Sequence, residues 1–209
     1  MVANSTAILR GLKKWYPNPQ CALTHTTPFQ LLIATILSAQ CTDERVNQVT
    51  PLLFKEFPTA EQLAKAPLPR VEGIIRSTGF FRQKAKSLVL SSRLLMEQHG
   101  GKVPRTMEGL LALRGVARKT ANVVLGTGFG IAAGVVVDTH VKRLSKRLGL
   151  TSETDPVKVE KDLMKKVPSS NWIWLSHALI THGRQICTAI KPDCAACPLN
   201  KLCPSAGNL

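Results

Sequence analysis

Residues 113–122 read LRGVARKTAN and lie between two apolar segments, one ending near Leu111 and the other running to about Phe129. This pattern predicts a helix, a tight turn and a second helix, because Gly115 can adopt the positive φ that such a turn requires. The first N–H groups of a helix have no partner within it and bind phosphate oxygens without reading base sequence. Candidate phosphate contacts are therefore Gly115, Ala117, Arg118 and Thr120. The alternative is an ordinary helix hairpin with no ligand.

The charge of the whole chain agrees with a phosphate-binding turn. Its 209 residues include 28 Lys and Arg against 13 Asp and Glu, a net charge of +15. A polyanionic partner is the leading explanation of that excess. Anionic lipid is a minor alternative, because no apolar stretch approaches the roughly 18 residues of a membrane span. The first 20 residues lack the apolar core of a secretory signal, so we expect a cytoplasmic protein, associated with the nucleoid if bacterial.

Four of the six cysteines, Cys187, Cys194, Cys197 and Cys203, lie within 17 positions of one another as C-x6-C-x2-C-x5-C. Four thiolates on short loops suit an iron–sulfur cluster, in which each iron takes one protein sulfur. Zinc is the main rival, but four-cysteine zinc sites usually contain two C-x-x-C pairs and this segment has one. A third interpretation is that the cysteines form disulfides, which is disfavoured because thiols inside cells are kept reduced.

Helix signals recur along the chain and strand signals do not. Thr27 with Pro28 predicts one helix start, and Thr42 or Asp43 another. A longer helix is expected over residues 82–99, and a last one over Trp172–Gln185. Pro51 predicts a kink or a stop. No period-two alternation appears, so we predict an all-α fold of about ten helices.

Four ordered motifs in this chain resemble those of the endonuclease III family of DNA glycosylases. The hairpin at 113–122 is similar to the family's L-P-G-V-G-R-K-T-A, and LSAQ at 37–40 followed by TD at 42–43 is similar to its L-S-A-Q-x-T-D. VDTH at 137–140 and the cysteine spacing complete the resemblance, which runs from about residue 8 to residue 203.

The resemblance implies a two-domain helix-hairpin-helix glycosylase fold with an active-site cleft between the domains. Residues 21–132 would form a six-helix barrel domain containing the hairpin. Residues 1–20 and 133–209 would form an iron–sulfur domain, in which Cys187, Cys194, Cys197 and Cys203 bind one 4Fe-4S cluster. The implied protein is a monomer without membrane association.

The implied activity is base excision repair by a bifunctional DNA glycosylase and AP lyase. Such an enzyme removes an oxidised pyrimidine from duplex DNA and cleaves the abasic strand by β-elimination. Lys119 matches the family's nucleophile and Asp138 its catalytic aspartate. A primary amine can form a Schiff base with the sugar, whereas an alcohol or a water cannot. The alternatives are a phosphate contact for Lys119 and a plain helix N-cap for Asp138.

The resemblance also implies further DNA contacts. Gln40 would enter the gap left by the extruded base, with Phe80 at the position of a leucine wedge. Phe80 could instead be a core aromatic and exchange roles with Phe81. The remaining candidate contacts are His140, whose alternative role is structural, Arg184 and Lys191.

The chain departs from the family pattern at two hairpin positions, where Arg114 replaces a proline and Ala117 a glycine. Loss of the proline is expected to make the turn less rigid, and the alanine adds a methyl group where backbone approaches phosphate. Three rival functions remain: a monofunctional glycosylase, a non-catalytic iron–sulfur DNA-binding protein and a zinc-dependent binding module. The retained Lys119 and Asp138 argue against the first two.

Overall fold

The structure is a computed structural model that describes residues 5–208, and this part of the chain contains eleven α-helices and no β-strand. The all-α prediction is therefore confirmed. The helices are α1 (Ser5–Trp15), α2 (Pro28–Leu37), α3 (Asp43–Glu56), α4 (Ala60–Ala64), α5 (Leu68–Ile75), α6 (Phe81–His99), α7 (Met107–Leu111), α8 (Arg118–Val123), α9 (Thr139–Arg147), α10 (Pro156–Lys166) and α11 (Trp172–Gln185). Between residues 5 and 208, no helix is both long and apolar enough to cross a membrane.

Side-chain N-caps start several of these helices, including the two predicted at Thr27 and at Thr42. A threonine oxygen accepts a backbone N–H from the first turn of four helices, at Thr27, Thr42, Thr59 and Thr106. At α10, one carboxylate oxygen of Asp155 accepts the N–H groups of Val157 and Lys158, both at 3.0 Å. Each cap satisfies backbone donors that have no partner within the helix.

Two helices differ in part from the sequence expectations. Pro51 does not stop α3, which contains it and continues to Glu56. Burial of Val49, Thr50 and Leu53 holds this helix across the missing N–H, since packing stabilises protein helices more than local preference does. The second hairpin helix reaches about Phe129 as expected, but α8 passes into a π-helical turn over Val124–Gly128.

The chain divides into two compact units. We call Cys21–Ile131, which contains α2 to α8, the hairpin unit. We call the described residues of Met1–Gln20 and Ala132–Leu209, which contain α1 and α9 to α11, the cysteine unit.

The hairpin unit is built around α2, in which eight of ten residues are buried. Such a helix is apolar on all sides and sits in the centre of its unit. Large side chains in this core have under 2% of their surface exposed; among them are Leu31, Leu32, Ile33, Leu37, Leu53, Leu63, Ile75, Leu88, Leu95 and Leu110.

The cysteine unit has its own core, formed by one face of each helix. Ile8 and Leu12 of α1 pack with buried side chains of the other three helices, chiefly Val141, Leu144, Val159, Leu163, Leu175 and Leu179. Leu199, in the cysteine-rich segment, is also fully buried in this core. A Cβ atom at Gly11 would lie 2.7 Å from Leu199 Cδ2, so the close approach of this segment to α1 depends on the glycine.

Candidate active site

The predicted hairpin is present, with α7 and α8 joined by residues 112–117. Gly115 has φ of 78°, as the turn prediction requires. A Cβ atom there would lie 3.0 Å from the Ser87 side chain, so glycine is favoured by space as well as by conformation. Ser91 Oγ donates a hydrogen bond of 2.7 Å to the Arg114 carbonyl. Helix α6, which carries both serines, therefore packs against the turn and fixes its position.

Ala117 occupies the N-cap position of α8 and offers no side-chain acceptor to the first turn. Its φ of −98° lies in a region open to any residue, so the alanine in place of the family's glycine causes no backbone strain. Arg118 and Lys119 follow as the first two residues of α8, and both side chains are exposed. Thr120 is half-buried. The exposed start of α8 thus presents the predicted amine to solvent.

Asp138, the second predicted catalytic residue, is the N-cap of α9 in the cysteine unit. Its Oδ1 accepts the Val141 N–H at 2.8 Å, and its side chain remains half-buried. Ser176 Oγ accepts the Val136 N–H at 2.9 Å, which ties the segment leading to Asp138 to α11. The carboxylate is thereby held at a helix N-terminus, where negative charge is favoured.

Gln40 and Phe80 share an unusual backbone conformation within the hairpin unit. Their φ values are 51° and 47°, and they are the two non-glycine residues with positive φ between residues 5 and 208. Both side chains are exposed, and Phe80 retains 68% of its surface. The alternative of Phe80 as a core aromatic is wrong. Phe81 is half-buried and lies 5.5 Å from the Arg82 guanidinium.

The four C-terminal cysteines line a single cavity in the cysteine unit, together with apolar residues that include Leu144, Leu148 and Ile186. None of these four cysteines forms a disulfide, so the disulfide reading is wrong for them. Four thiol donors facing one apolar cavity fit the donor set of an iron–sulfur cluster. No three His, Cys, Asp or Glu side chains of residues 5–208 are grouped so that they could hold a single metal ion.

Two arginines of α9, which the sequence analysis did not single out, support the segment that carries the cysteines. Arg143 Nη2 donates to the carbonyls of Gly183 and Cys187 at 2.8 and 2.9 Å. Arg147 donates to the carbonyls of Thr188 and Ala189, at 2.6 and 2.9 Å. Their spacing of four residues on one helix face was the available sequence signal.

Sulfur atoms of the cavity also have polar neighbours. Arg147 Nη1 lies 3.3 Å from Cys187 Sγ. His182 Nε2 lies 3.5 Å from Cys197 Sγ, while its Nδ1 lies 3.0 Å from the Tyr16 hydroxyl. Burial lowers the pKa of His182 to about 4. A neutral ring therefore joins Tyr16, the residue directly after α1, to Cys197 of the cysteine-rich segment.

The three remaining candidate DNA contacts lie in the cysteine unit. Arg184 and Lys191 are exposed. The carbonyl of Lys191 accepts a hydrogen bond of 2.7 Å from Thr188 Oγ1, which shapes the loop before Cys194. His140 is half-buried, with its Nδ1 3.2 Å from Arg143 Nη2. That contact is consistent with the structural alternative for His140.

Comparisons with known proteins agree with these motifs. Residues 33–169 match the family model described as HhH-GPD superfamily base excision DNA repair protein. Over 202 residues the chain is 58% identical to endonuclease III of Synechocystis sp., covering 97% of this chain and 92% of the relative. It is 47% identical to endonuclease III of Bacillus subtilis, with 90% and 86% covered.

Solved structures of complexes with DNA are also similar. A non-covalent endonuclease III–DNA complex matches with a TM-score of 0.92 and 43% identity, covering 97% of this chain and 95% of the other. A trapped endonuclease III–DNA covalent intermediate matches with a TM-score of 0.92 and 41% identity, covering 100% and 99%.

Proposed function

Because this chain belongs to the HhH-GPD superfamily of base excision DNA repair proteins, we propose that it is a bifunctional DNA glycosylase and AP lyase acting on oxidised pyrimidines in duplex DNA. The observation that carries the proposal is its similarity, over the whole chain, to an endonuclease III trapped covalently on DNA. An exposed lysine at the start of α8 supplies the amine that a covalent mechanism requires.

Lys119 is the proposed nucleophile. Its neutral amine attacks C1′ of the damaged nucleoside, and the base leaves with the electrons of the glycosidic bond. Loss of a proton from the nitrogen and opening of the sugar ring give a Schiff base. This imine withdraws electrons from C2′, so that a proton is lost there and the C3′–O bond breaks. One side chain thereby serves both the glycosylase and the lyase step.

Asp138 is proposed to stabilise the positive charge that develops on the sugar as the base departs. A carboxylate already held by the Val141 N–H needs little reorganisation when that charge appears. The N-cap role and the catalytic role are compatible, since the second carboxylate oxygen is not used in the Val141 bond.

DNA binding is proposed to combine backbone contacts with insertion into the base stack. The hairpin backbone at Gly115 and Ala117, with Arg118 and Thr120, would hold phosphates on one side of the lesion. Gln40 and Phe80 would enter the stack, and their exposed side chains on strained backbone suit that role. Further proposed contacts are His140, Arg184 and Lys191.

We infer that Cys187, Cys194, Cys197 and Cys203 hold one 4Fe-4S cluster. When bound, the cluster would cross-link the cysteine-rich segment through four iron–sulfur bonds, and no step of the base excision chemistry requires electron transfer through it. The hairpin unit then corresponds to the proposed barrel domain and the cysteine unit to the iron–sulfur domain. We further propose that the protein acts in the cytoplasm as a monomer.

Borohydride trapping on a duplex oligonucleotide containing thymine glycol tests the mechanism. Wild type is expected to form a covalent adduct, because borohydride reduces the Schiff base to a stable amine. Lys119→Ala and Lys119→Arg should both form none. The arginine variant keeps the positive charge for phosphate binding, so its failure would assign the role of Lys119 to chemistry.

Lys102→Ala is the matched control, because it removes an exposed lysine of the same unit that has no proposed role. It should give as much adduct as wild type. Base release by wild type without any adduct would instead identify a monofunctional glycosylase.

A further inference from the structure

Lys84 is a buried lysine in the hairpin unit, with only 6% of its surface exposed. Its Nζ donates to the carbonyl of Leu37 at 2.8 Å and to the carbonyl of Thr78 at 2.7 Å. Leu37 is the last residue of α2, and Thr78 ends the short 3-10 turn before Gly79. One ammonium group therefore joins the ends of two chain segments that are 41 positions apart in sequence.

Each of these carbonyls lies just before one of the strained residues. Gln40 comes three positions after Leu37, and Phe80 two positions after Thr78. Left-handed backbone at bulky residues costs of order 1–3 kcal/mol and persists only where the surrounding structure imposes it. The Lys84 backbone N–H also donates to the Phe80 carbonyl at 3.0 Å, which closes the first turn of α6. Lys84 thus contacts both loops at the points from which the strained residues project.

Simple stabilisation is the competing explanation for this arrangement. A buried lysine is costly, however, and burial lowers the pKa of Lys84 below its ordinary value. The side chain of Cys41 has a smaller, opposite effect and raises the pKa of Lys84. If these two carbonyl groups only needed hydrogen-bond donors, a neutral donor would satisfy them without the desolvation cost of a buried ammonium. Hydrogen bonds from one side chain to both loops would keep Gln40 and Phe80 at a fixed separation.

We propose that Lys84 is a positioning residue that holds the Gln40 loop and the Phe80 loop in register for joint insertion into the DNA stack. This inference rests on the proposed function. If it is correct, loss of Lys84 impairs extrusion of the damaged base and leaves the chemistry at an already accessible nucleoside intact.

Two duplexes distinguish these steps. In one, thymine glycol is paired with adenine; in the other, the opposite strand has a tetrahydrofuran residue, so that no partner base resists extrusion. With enzyme in excess, Lys84→Met should release base about tenfold more slowly than wild type on the paired duplex, and less than about twofold more slowly on the unpaired one. Equal losses on both duplexes, or no loss on either, would overturn the proposal.

Two substitutions at the same position and one two residues further along α6 complete the experiment. Lys84→Arg keeps charge and several donors and should restore most of the paired-duplex rate. Lys84→Gln has donors on a shorter side chain and should be slow on the paired duplex, which provides the test if the methionine variant does not fold. Lys86→Met removes an exposed lysine from the same helix and should behave as wild type.

A spectroscopic measurement separates positioning from activity. In the Lys119→Ala background, where no adduct forms, 2-aminopurine opposite the lesion reports unstacking by increased fluorescence. Adding Lys84→Met should reduce that increase at saturating protein, while an unchanged increase would contradict the proposal. Absence of base release by wild type itself would refute the proposed function and is thus distinct from either result.

Discussion

The hairpin unit and residues 186–208 of the cysteine unit reach a defined structure by different means. In the hairpin unit, regular helices surround α2, and the fully buried leucines and isoleucines lie on helices. In the cysteine unit, residues 186–208 contain a single short 3-10 turn over Asn200–Leu202, and Leu199 is the one buried residue among them. That segment is held by Arg143, Arg147 and the four cysteines around a shared cavity. Hydrophobic packing stabilises the hairpin unit and the helices of the cysteine unit, whereas polar contacts of Arg143 and Arg147 order residues 186–208.

This difference indicates where the proposed cluster would contribute most to stability. About 23 residues with one buried side chain lose more conformational entropy on folding than their apolar burial can offset. Iron–sulfur bonds would supply the missing free energy, as metal binding does in other small folded units. The hairpin unit needs no such contribution.

Loss of a cysteine should give the largest effect. Cys197→Ser is expected to abolish visible absorption from the cluster and to destabilise the cysteine unit by about 4 kcal/mol or more, as removal of metal ligands does. Hydrogen exchange should show this loss in residues 186–208 while α2 and α6 stay protected. Cys21→Ser, outside the four, should cost about 1 kcal/mol. Equal loss of protection in both units would show that the proposed division is wrong.

Truncation of a core side chain in the hairpin unit should destabilise that unit and leave the proposed cluster intact. Leu88→Ala removes a fully buried side chain of α6 and should lower the free energy of unfolding by about 3 kcal/mol, measured by urea denaturation. Visible absorption per molecule should not change. Leu90→Ala, at a position 38% exposed on the same helix, should cost under about 1 kcal/mol. Bleaching of the cluster by Leu88→Ala would contradict the separation of the two units.

Arg147→Met should weaken the polar support of the cysteine-rich segment. It removes donors to two backbone carbonyls and to Cys187 Sγ, at an expected cost of about 2 kcal/mol. The rate at which a chelator removes iron should rise about tenfold, followed by the decay of visible absorption. Arg147→Lys should be intermediate, because a lysine cannot reproduce the planar fork of donors. An unchanged rate in Arg147→Met would show that the arginine is dispensable for holding the segment.

Paired cap variants should give the smallest effect and the most local one. Thr59→Ala removes the cap of α4 in the hairpin unit, and Asp155→Ala that of α10 in the cysteine unit. Each should cost about 1 kcal/mol. Hydrogen exchange should show each loss mainly within its own unit, and losses spread evenly over both would indicate that the units unfold together.

Most helix starts could be predicted because their causes are local. Thr27, Thr59 and Asp155 each accept N–H groups from within the next three residues, so sequence spacing contains the whole interaction. The Gly115 turn was predictable for the same reason. The passage of α8 into a π-helical turn was not, and the sequence left open whether Pro51 would stop α3, where buried neighbours outweigh the missing N–H.

The residues of the candidate site likewise differ in whether local sequence could identify them. Lys119 and Asp138 were identified by motif, and the four cysteines by spacing and donor chemistry. The contacts of Lys84, Arg143 and Arg147 were not predicted, because each joins residues at least 40 positions apart as well as nearer ones.

By itself, the amino-acid sequence determined the helical class, the family and the groups available for chemistry, because capping, glycine turns and ligand spacing act over a few residues. Only the tertiary structure decided that Gln40 and Phe80 project from strained loops joined by one buried ammonium, and that α9 arginines hold the cysteine-rich segment. Those arrangements depend on which distant backbone carbonyls are brought within reach of a side chain, and only packing of the folded chain sets those distances.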